Sequence, residues 1–185
     1  ECQRPEMTDS GYPDVDAVLT TRELGRMLRE SGIKFSDLPE EEYDDPLGIS
    51  TGAGLIFGAT GGVMEAALRT VYEVVTGETL ASLDFTDVRG LEGIKEAEVD
   101  LKGKKVKVAV AHGLGNARKL MDLINEGKAD YQFIEIMCCP GGCIGGGGQP
   151  IPTTREIRQK RINAIYRADA GMPLRKSHEN PAVQT

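Results

Sequence analysis

Three of the chain's four cysteines fall within six residues: Cys138, Cys139 and Cys143, inside the stretch EIMCCPGGCIGGGGQP from Glu135 to Pro150. A thiolate is both a nucleophile and a soft metal ligand. A disulfide framework is a poor reading, because the chain is long and these thiols are crowded together. A zinc site brings a second Cys or His pair at ligand spacing, whereas here His112 and His178 are distant and Cys2 stands alone. An iron–sulfur cluster is held by thiolates from several loops and needs room. Glycine supplies that room: no Cβ, access to positive φ, and amides that can point at sulfide. Cys139 and Cys143, at C-x3-C spacing in a glycine nest, therefore suit an iron–sulfur centre best, with zinc and inert buried thiols left open.

The bulk numbers narrow the partners. A chain of 185 residues, 39% hydrophobic and 28% charged, can bury a core as one large domain or two small ones. The net charge of −7 argues against nucleic acid and against an anionic membrane surface. Trp is absent and no apolar run approaches the roughly 20 residues of a membrane span. Crowded thiols without a disulfide pattern indicate a reducing compartment, hence the cytoplasm. The chain opens on ECQRPEM without an initiator Met and closes on RKSHENPAVQT, so both ends read as cuts through a longer protein. The lack of a leader peptide then carries no weight.

The elements that must position the thiols follow from pattern. Val15–Thr21 reads as a short buried strand running into a helix, with Thr21 as N-cap, Leu24, Met27 and Leu28 on one face and Gly32 at the C-cap. KFSDLPEEEYDDPLG reads as an exposed acidic connection. Ser50–Gly62 is a second glycine-rich stretch, opening a helix that ends at Gly77. Its spacing fits neither G-x-G-x-x-G nor the Walker pattern, so a tight packing turn is preferred over a phosphate site. IKEAEVDLKGKKVKVAVAHG reads as two strands paired as a hairpin, LGNARKLMDLINEG as an amphipathic helix, and YQFIEIM as a strand of the sheet interior. The run from Lys105 to Met137 is long enough for a βαβ crossover. Functional loops of such sheets lie at the C-terminal ends of strands, where the cysteine loop falls. A basic helix starts near Thr153 or Thr154, and MPLRKSHENPAVQ begins one more element. The predicted class is α/β, a largely parallel sheet flanked by helices.

The complete string EIMCCPGGCIGGGGQP resembles the third signature loop of the FeFe-hydrogenase (iron-only hydrogenase) family, E-x-M-x-C-x-x-x-C-x-x-G-G-G-Q-P. All nine fixed positions match: Glu135, Met137, Cys139, Cys143, Gly146, Gly147, Gly148, Gln149 and Pro150. DAVLTTREL, STGAGLIFGATGGVMEAALRTVYE and LRKSHEN also look like that family's catalytic domain, so the resemblance covers essentially the whole chain. It implies that residues 1–185 are the C-terminal fragment of the domain that holds the H-cluster, one lobe of a two-lobed fold. The H-cluster is a 4Fe-4S cubane joined through one cysteine thiolate to a two-iron unit. By the match, Cys139 is a cubane ligand and Cys143 the ligand that also bridges to the two-iron unit. Met137 becomes a soft neighbour of the cluster, Phe57 a wall of the two-iron site, and Glu1 the last residue of the family's second loop.

The first loop of the family pattern and most of the second are missing, leaving two of the cluster's four cysteines. The resemblance therefore implies a parent enzyme that interconverts protons and H2, and a fragment that by itself is inactive and without the cluster. Ferredoxin or partner electron-transfer subunits are the implied partners, with NAD(H) behind them. The bared lobe interface is expected to support dimerisation. Two other classes compete: a hydrogenase-like iron–sulfur assembly protein without hydrogenase activity, and a hydrogen-sensing relative. Cys138, at a variable motif position, is expected to be a packed thiol and Cys2 incidental. His112 is expected to be a capping or hydrogen-bonded core residue, and His178 structural.

Overall fold

In the computed structural model of the chain, residues 4–41 and 49–184 are described. The chain divides into two units, Glu1–Glu40 with Gly147–Ile151, and Glu41–Gly146 with Pro152–Thr185.

The first unit is organised by helix α1, Thr21–Glu30. Its N-cap is Thr20 rather than Thr21. Thr20 Oγ1 accepts the Glu23 N–H at 3.3 Å, while Glu23 carboxylate accepts the Thr20 N–H at 2.8 Å. The glutamate three residues on selects between the two threonines, since only Thr20 can close this reciprocal box. The strand expected at Val15–Thr21 is absent, and Val18 and Leu19 are exposed. No described strand lies in this unit to pair with them. At the other end Gly32 (φ 71°) donates to Arg29 O and Ile33 to Leu28 O, the paired bonds of a left-handed helix stop. The glycine tail of the cysteine motif packs here. The Arg22 guanidinium donates to Gly147 O at 2.8 Å, and a Cβ on Gly148 would stand 2.8 Å from Thr20 Cβ.

The second unit is built on a three-stranded sheet, β1 Ile94–Leu101, β2 Lys104–His112 and β3 Phe133–Met137, in the order β1-β2-β3. Lys102 and Gly103, both at positive φ, form the two-residue turn that makes β1 and β2 a hairpin. Helix α4, Leu114–Asn125, carries the chain from β2 to β3, which pair in parallel with His112 opposite Met137. The sheet is thus mixed, with one antiparallel and one parallel pairing, inside an α/β arrangement. β2 is central and buried from Val108 to His112. Its alternation sends Val108 and Val110 against Met64, Leu68 and Val88, and Ala109 and Ala111 against Leu120. Met64 and Leu68 belong to helix α3, Gly62–Thr76, so α3 and α4 cover opposite faces. β3, expected in the sheet interior, is an edge of the described sheet with Ile136 exposed. Its apolar run reads as two-sided burial, yet no described strand pairs with its outer edge.

Helix α5, Arg155–Gly171, is capped by Thr154, which accepts the Ile157 N–H. Ile162, Ile165 and Tyr166 pack on Ala53, Ile56, Ala59, Leu91 and Ile144. Ala53 and Ile56 belong to the short helix α2, Gly52–Ile56. The last element is one turn of helix, α6, Pro181–Gln184. Among the described residues no helix is long and apolar enough to cross a membrane.

Candidate metal centre

The cysteine loop leaves the C-terminal end of β3, and its foundation is Glu135, two residues before that strand ends. Glu135 is buried, and its carboxylate accepts the Gly61 N–H at 2.6 Å and the Met64 N–H at 2.7 Å. These are the free amides at the start of α3, where the helix dipole favours an anion. The glycine-rich stretch before α3 does bind an anion through its amides, but the anion is this chain's own side chain. The packing-turn reading holds: a Cβ on Gly61 would lie 1.9 Å from Val88 O, and one on Gly62 1.7 Å from Ile56 O. Lys95, buried on β1, donates to Thr60 O and Gly90 O at 3.1 Å. Burial lowers its pKa to about 8, against the opposing pull of the Glu135 and Glu92 carboxylates.

Three longer-range bonds then fix the loop. Thr60 N–H donates to Gly141 O and Ile144 N–H to Gly58 O, both at 3.0 Å, so the two glycine-rich stretches lace together. Gly141 N–H donates to His112 Nδ1 at 3.1 Å. Inside the loop Gly142 N–H bonds Cys139 O and Gly146 N–H bonds Cys143 O. Gly142 adopts φ 95° and ψ −163°, a region open only to glycine, and a Cβ there would stand 2.7 Å from Thr60 N and 2.9 Å from Met137 Sδ. Gly142→Ala is therefore expected to destabilise the chain by about 2–4 kcal/mol through strain and displacement of the loop. A thermal melt within 1 °C of wild type, where ~1 kcal/mol moves a domain this large several degrees, would sink this account.

His112 is the hydrogen-bonded core histidine that the sequence suggested. Accepting at Nδ1 requires the neutral ring with its proton on Nε2. Burial, the larger cause, lowers its pKa from 6.5, with the charges of Lys95 and Arg158 acting the same way against the Leu91 and Glu92 backbone. With the folded value depressed, the unfolded chain binds more protons, so this contribution is whole above pH 6.5 and fades as pH falls below it. Wild type should lose more stability between pH 7.5 and 5 than His112→Gln, which keeps an acceptor that does not titrate. Parallel slopes in denaturant midpoints would contradict this.

The thiols themselves are free: Cys139 is half-buried, and Cys143 and Cys138 are exposed. Cys138 is not the packed thiol expected, because the chain turns away from the sheet directly after Met137 and leaves it facing solvent. Met137 is half-buried with its sulfur against Gly142. Phe57 is exposed and adjoins Gly58, the residue that accepts from Ile144 beside Cys143. The fold thus gathers Met137, Phe57, Cys139 and Cys143 about one loop. Glu1 and Cys2 lie outside the described residues. His178 stands apart, its ring nitrogens bonded to Thr70 Oγ1 and to Glu73, a carboxylate held near pKa 2 with Leu80 N–H, Lys176 and His178 as donors. Sequence reasoning missed the roles of Glu135 and Lys95. The one available signal was a lone carboxylate inside the apolar run FIEIM.

The donor set fits an iron–sulfur cluster in kind: thiols unpaired, at least partly open, on a loop in which six of the residues between Pro140 and Gln149 are glycine. In number it is half of what a cubane takes. The family described as "Iron only hydrogenase large subunit, C-terminal domain" matches residues 1–147, and "Iron hydrogenase small subunit" matches residues 155–185. The chain belongs to the iron-only hydrogenase large-subunit family, in its C-terminal domain. It is 55% identical to the NADP-reducing hydrogenase subunit HndD of Solidesulfovibrio fructosivorans, over 99% of this chain and 31% of that protein. It is 52% identical to the periplasmic Fe hydrogenase large subunit of Nitratidesulfovibrio vulgaris, over 88% of this chain and 39% of that protein. The solved FeFe-hydrogenase HydA1 of Chlamydomonas reinhardtii superposes with a TM-score of 0.75 at 42% identity, over 99% of this chain and 54% of that one. More distant similarity, 34% identity over 85% of this chain and 34% of the relative, reaches the protein NAR1 of Arabidopsis thaliana. The chain spans about a third of the length of these curated relatives.

Proposed function

We propose that this chain is the C-terminal part of the catalytic domain of an FeFe-hydrogenase whose parent protein interconverts two protons and two electrons with H2. The observation that carries this reading is the loop of free thiols, Cys139 and Cys143, laced to a second glycine-rich stretch and open to an incoming cluster. Both would ligate the 4Fe-4S cubane of an H-cluster, Cys143 also bridging to the two-iron unit, with Met137, Phe57 and Glu1 as neighbours. When bound, that cluster supplies electron storage and the metal site at which protons are reduced. The chain's own contribution is positional. Glu135 and His112 hold the loop backbone, the glycines leave space, and the two thiols present their sulfurs. Holding the ligands rigidly in this way tunes such a centre as much as the ligands themselves do.

Two thiolates leave a cubane half-ligated, so the fragment alone is inactive and carries no stable cluster. Similarity to an NADP-reducing hydrogenase subunit supports a nicotinamide nucleotide, NADP(H) by that name, as an electron partner reached through other subunits, while ferredoxin rests on the family resemblance alone. We place the parent in the cytoplasm, on the reducing chemistry its thiols need. Exposed Leu24, Met27 and Phe35 on the first unit support dimerisation of the fragment. The assembly-protein reading has less support, resting on 34% identity against 52–55% for the hydrogenases. Anaerobic iron and sulfide analysis with EPR tests the proposal, on this fragment and on a chain extended upstream through the missing loops. A cluster is expected only in the extended chain, and lost from it on Cys139→Ser or Cys143→Ser. A stoichiometric cluster in the fragment, or one indifferent to both substitutions, would refute the ligand assignment.

A further inference from the structure

Helix α5 turns two arginines, three residues apart and so on one face, toward the cysteine loop. Arg161 Nη1 donates to Ile144 O at 2.7 Å, next to Cys143. Arg158 runs along the back of the loop. Its Cδ lies 3.0 Å from the place a Cβ on Gly141 would occupy, and its Nε 3.1 Å from that of Gly145. That Nε is buried and has no hydrogen-bond partner among the described residues. Gly146, the next residue, is in contact from another side, where a Cβ would stand 3.8 Å from Cys139 Sγ. A guanidinium whose buried Nε has no partner and the candidate ligand thiol of Cys139 therefore pack against adjacent residues of one glycine run. Arg161 is engaged by the Ile144 carbonyl, and two other basic groups near the loop are spoken for. His112 is held neutral by the Gly141 N–H, and Lys95 faces the carboxylate of Glu135.

We propose that Arg158 is a positioning residue for the hydrogenase reading above, on which this inference rests: a fixed cation behind the cysteine loop that favours the reduced cubane. Each electron added to a thiolate-ligated cluster raises its negative charge, and a half-buried cation held beside it lowers the cost of that charge. The inference also gives the segment matched to the small subunit a function. It brings positive charge to a loop whose own residues, after Glu135, carry none.

The test uses the full-length parent, with all cluster loops present and its cubane reconstituted anaerobically from iron and sulfide. The midpoint potential is read by EPR during titration with dithionite. Arg158→Gln is expected to shift the potential negative at unchanged iron content, and Arg158→Lys to keep the wild-type value. Arg158→Met, which retains the alkyl packing without charge, carries the comparison should Gln release the cubane. Equal potentials in charged and neutral variants overturn the proposal. So does a shift in Lys as large as in Gln, which would assign the effect to packing. A wild-type parent that takes up no cubane at all would instead strike the hydrogenase reading itself.

Discussion

Glu135→Gln is expected to destabilise the chain by about 2–4 kcal/mol and to free the glycine-rich stretch before α3, although it alters one atom of the side chain. The native carboxylate accepts two short bonds, one per oxygen, from Gly61 and Met64. A hydrogen bond to a charged group contributes about 1.5–3 kcal/mol net. The amide retains one acceptor and turns an N–H toward the remaining backbone N–H, so one buried donor loses its partner and meets another donor. The charge at the helix start vanishes as well, removing a favourable dipole interaction. Lys95 then loses one of the two carboxylates that oppose its desolvation, and its pKa, already near 8, is expected to fall further. Amide exchange at Gly61 and Met64 should accelerate more than exchange along β2. The effect should reach the cysteine loop too, because Thr60, bonded to Gly141 of that loop, lies next to Gly61. A Glu135→Gln chain with unchanged urea midpoint and unchanged protection at those two amides would refute this account.

How far the sequence could be read depended on the range of the interaction. The β1–β2 hairpin, α4 and the end of α3 at Gly77 were legible because periodicity and turn chemistry act over a few residues. The gathering of Cys139 and Cys143 on one loop was legible because their spacing is local. Thr20 could have been named as the α1 cap, since Glu23 follows at the box spacing. The burial of Glu135 could not, because its two donors lie 74 and 71 residues earlier in the chain and leave no local pattern. Val15–Thr21 failed for the opposite reason: β-branched residues raise strand propensity, but a strand exists only with a neighbour to pair with. The exposure of Cys138 and the edge position of β3 are likewise set by which chain lies alongside. Local pattern does not encode that.

The second large effect is expected at Arg69. This guanidinium has five N–H donors, and its nitrogens make five hydrogen bonds: to Leu83 O, Arg175 O, Glu65 Oε1 and both oxygens of Asp169. Arg69, Glu65 and Asp169 side chains are all at 0% exposure. Arg69→Met would strand two carboxylates at once, keeping only the second arginine each already has, Arg89 for Glu65 and Arg175 for Asp169. Breaking a buried pair on one side costs about 3–5 kcal/mol. Lysine should recover little, because one ammonium cannot reproduce the planar fork that grips Asp169 through two nitrogens. The loss should be local as well as large. Asp169 and Arg175 lie in the segment matched to the small subunit, while Arg69 and Glu65 lie in that matched to the large. Gly52 packs so closely on Asp169 that a Cβ there would fall 1.9 Å from Oδ1, which leaves no space for water to solvate the stranded charge. The joint between α5 and the α2–α3 pair should therefore open before the sheet unfolds. Limited proteolysis of Arg69→Met is expected to cut first within 155–184, with the β2 amides still protected. Replacing Arg69, Glu65 and Asp169 together by apolar residues of similar volume should restore part of the stability, since no fully buried charge remains and the partly exposed Arg89 and Arg175 keep Asp84 as a partner. Wild-type proteolysis by Arg69→Met, or a triple variant weaker than the single one, would show that packing rather than charge holds this joint.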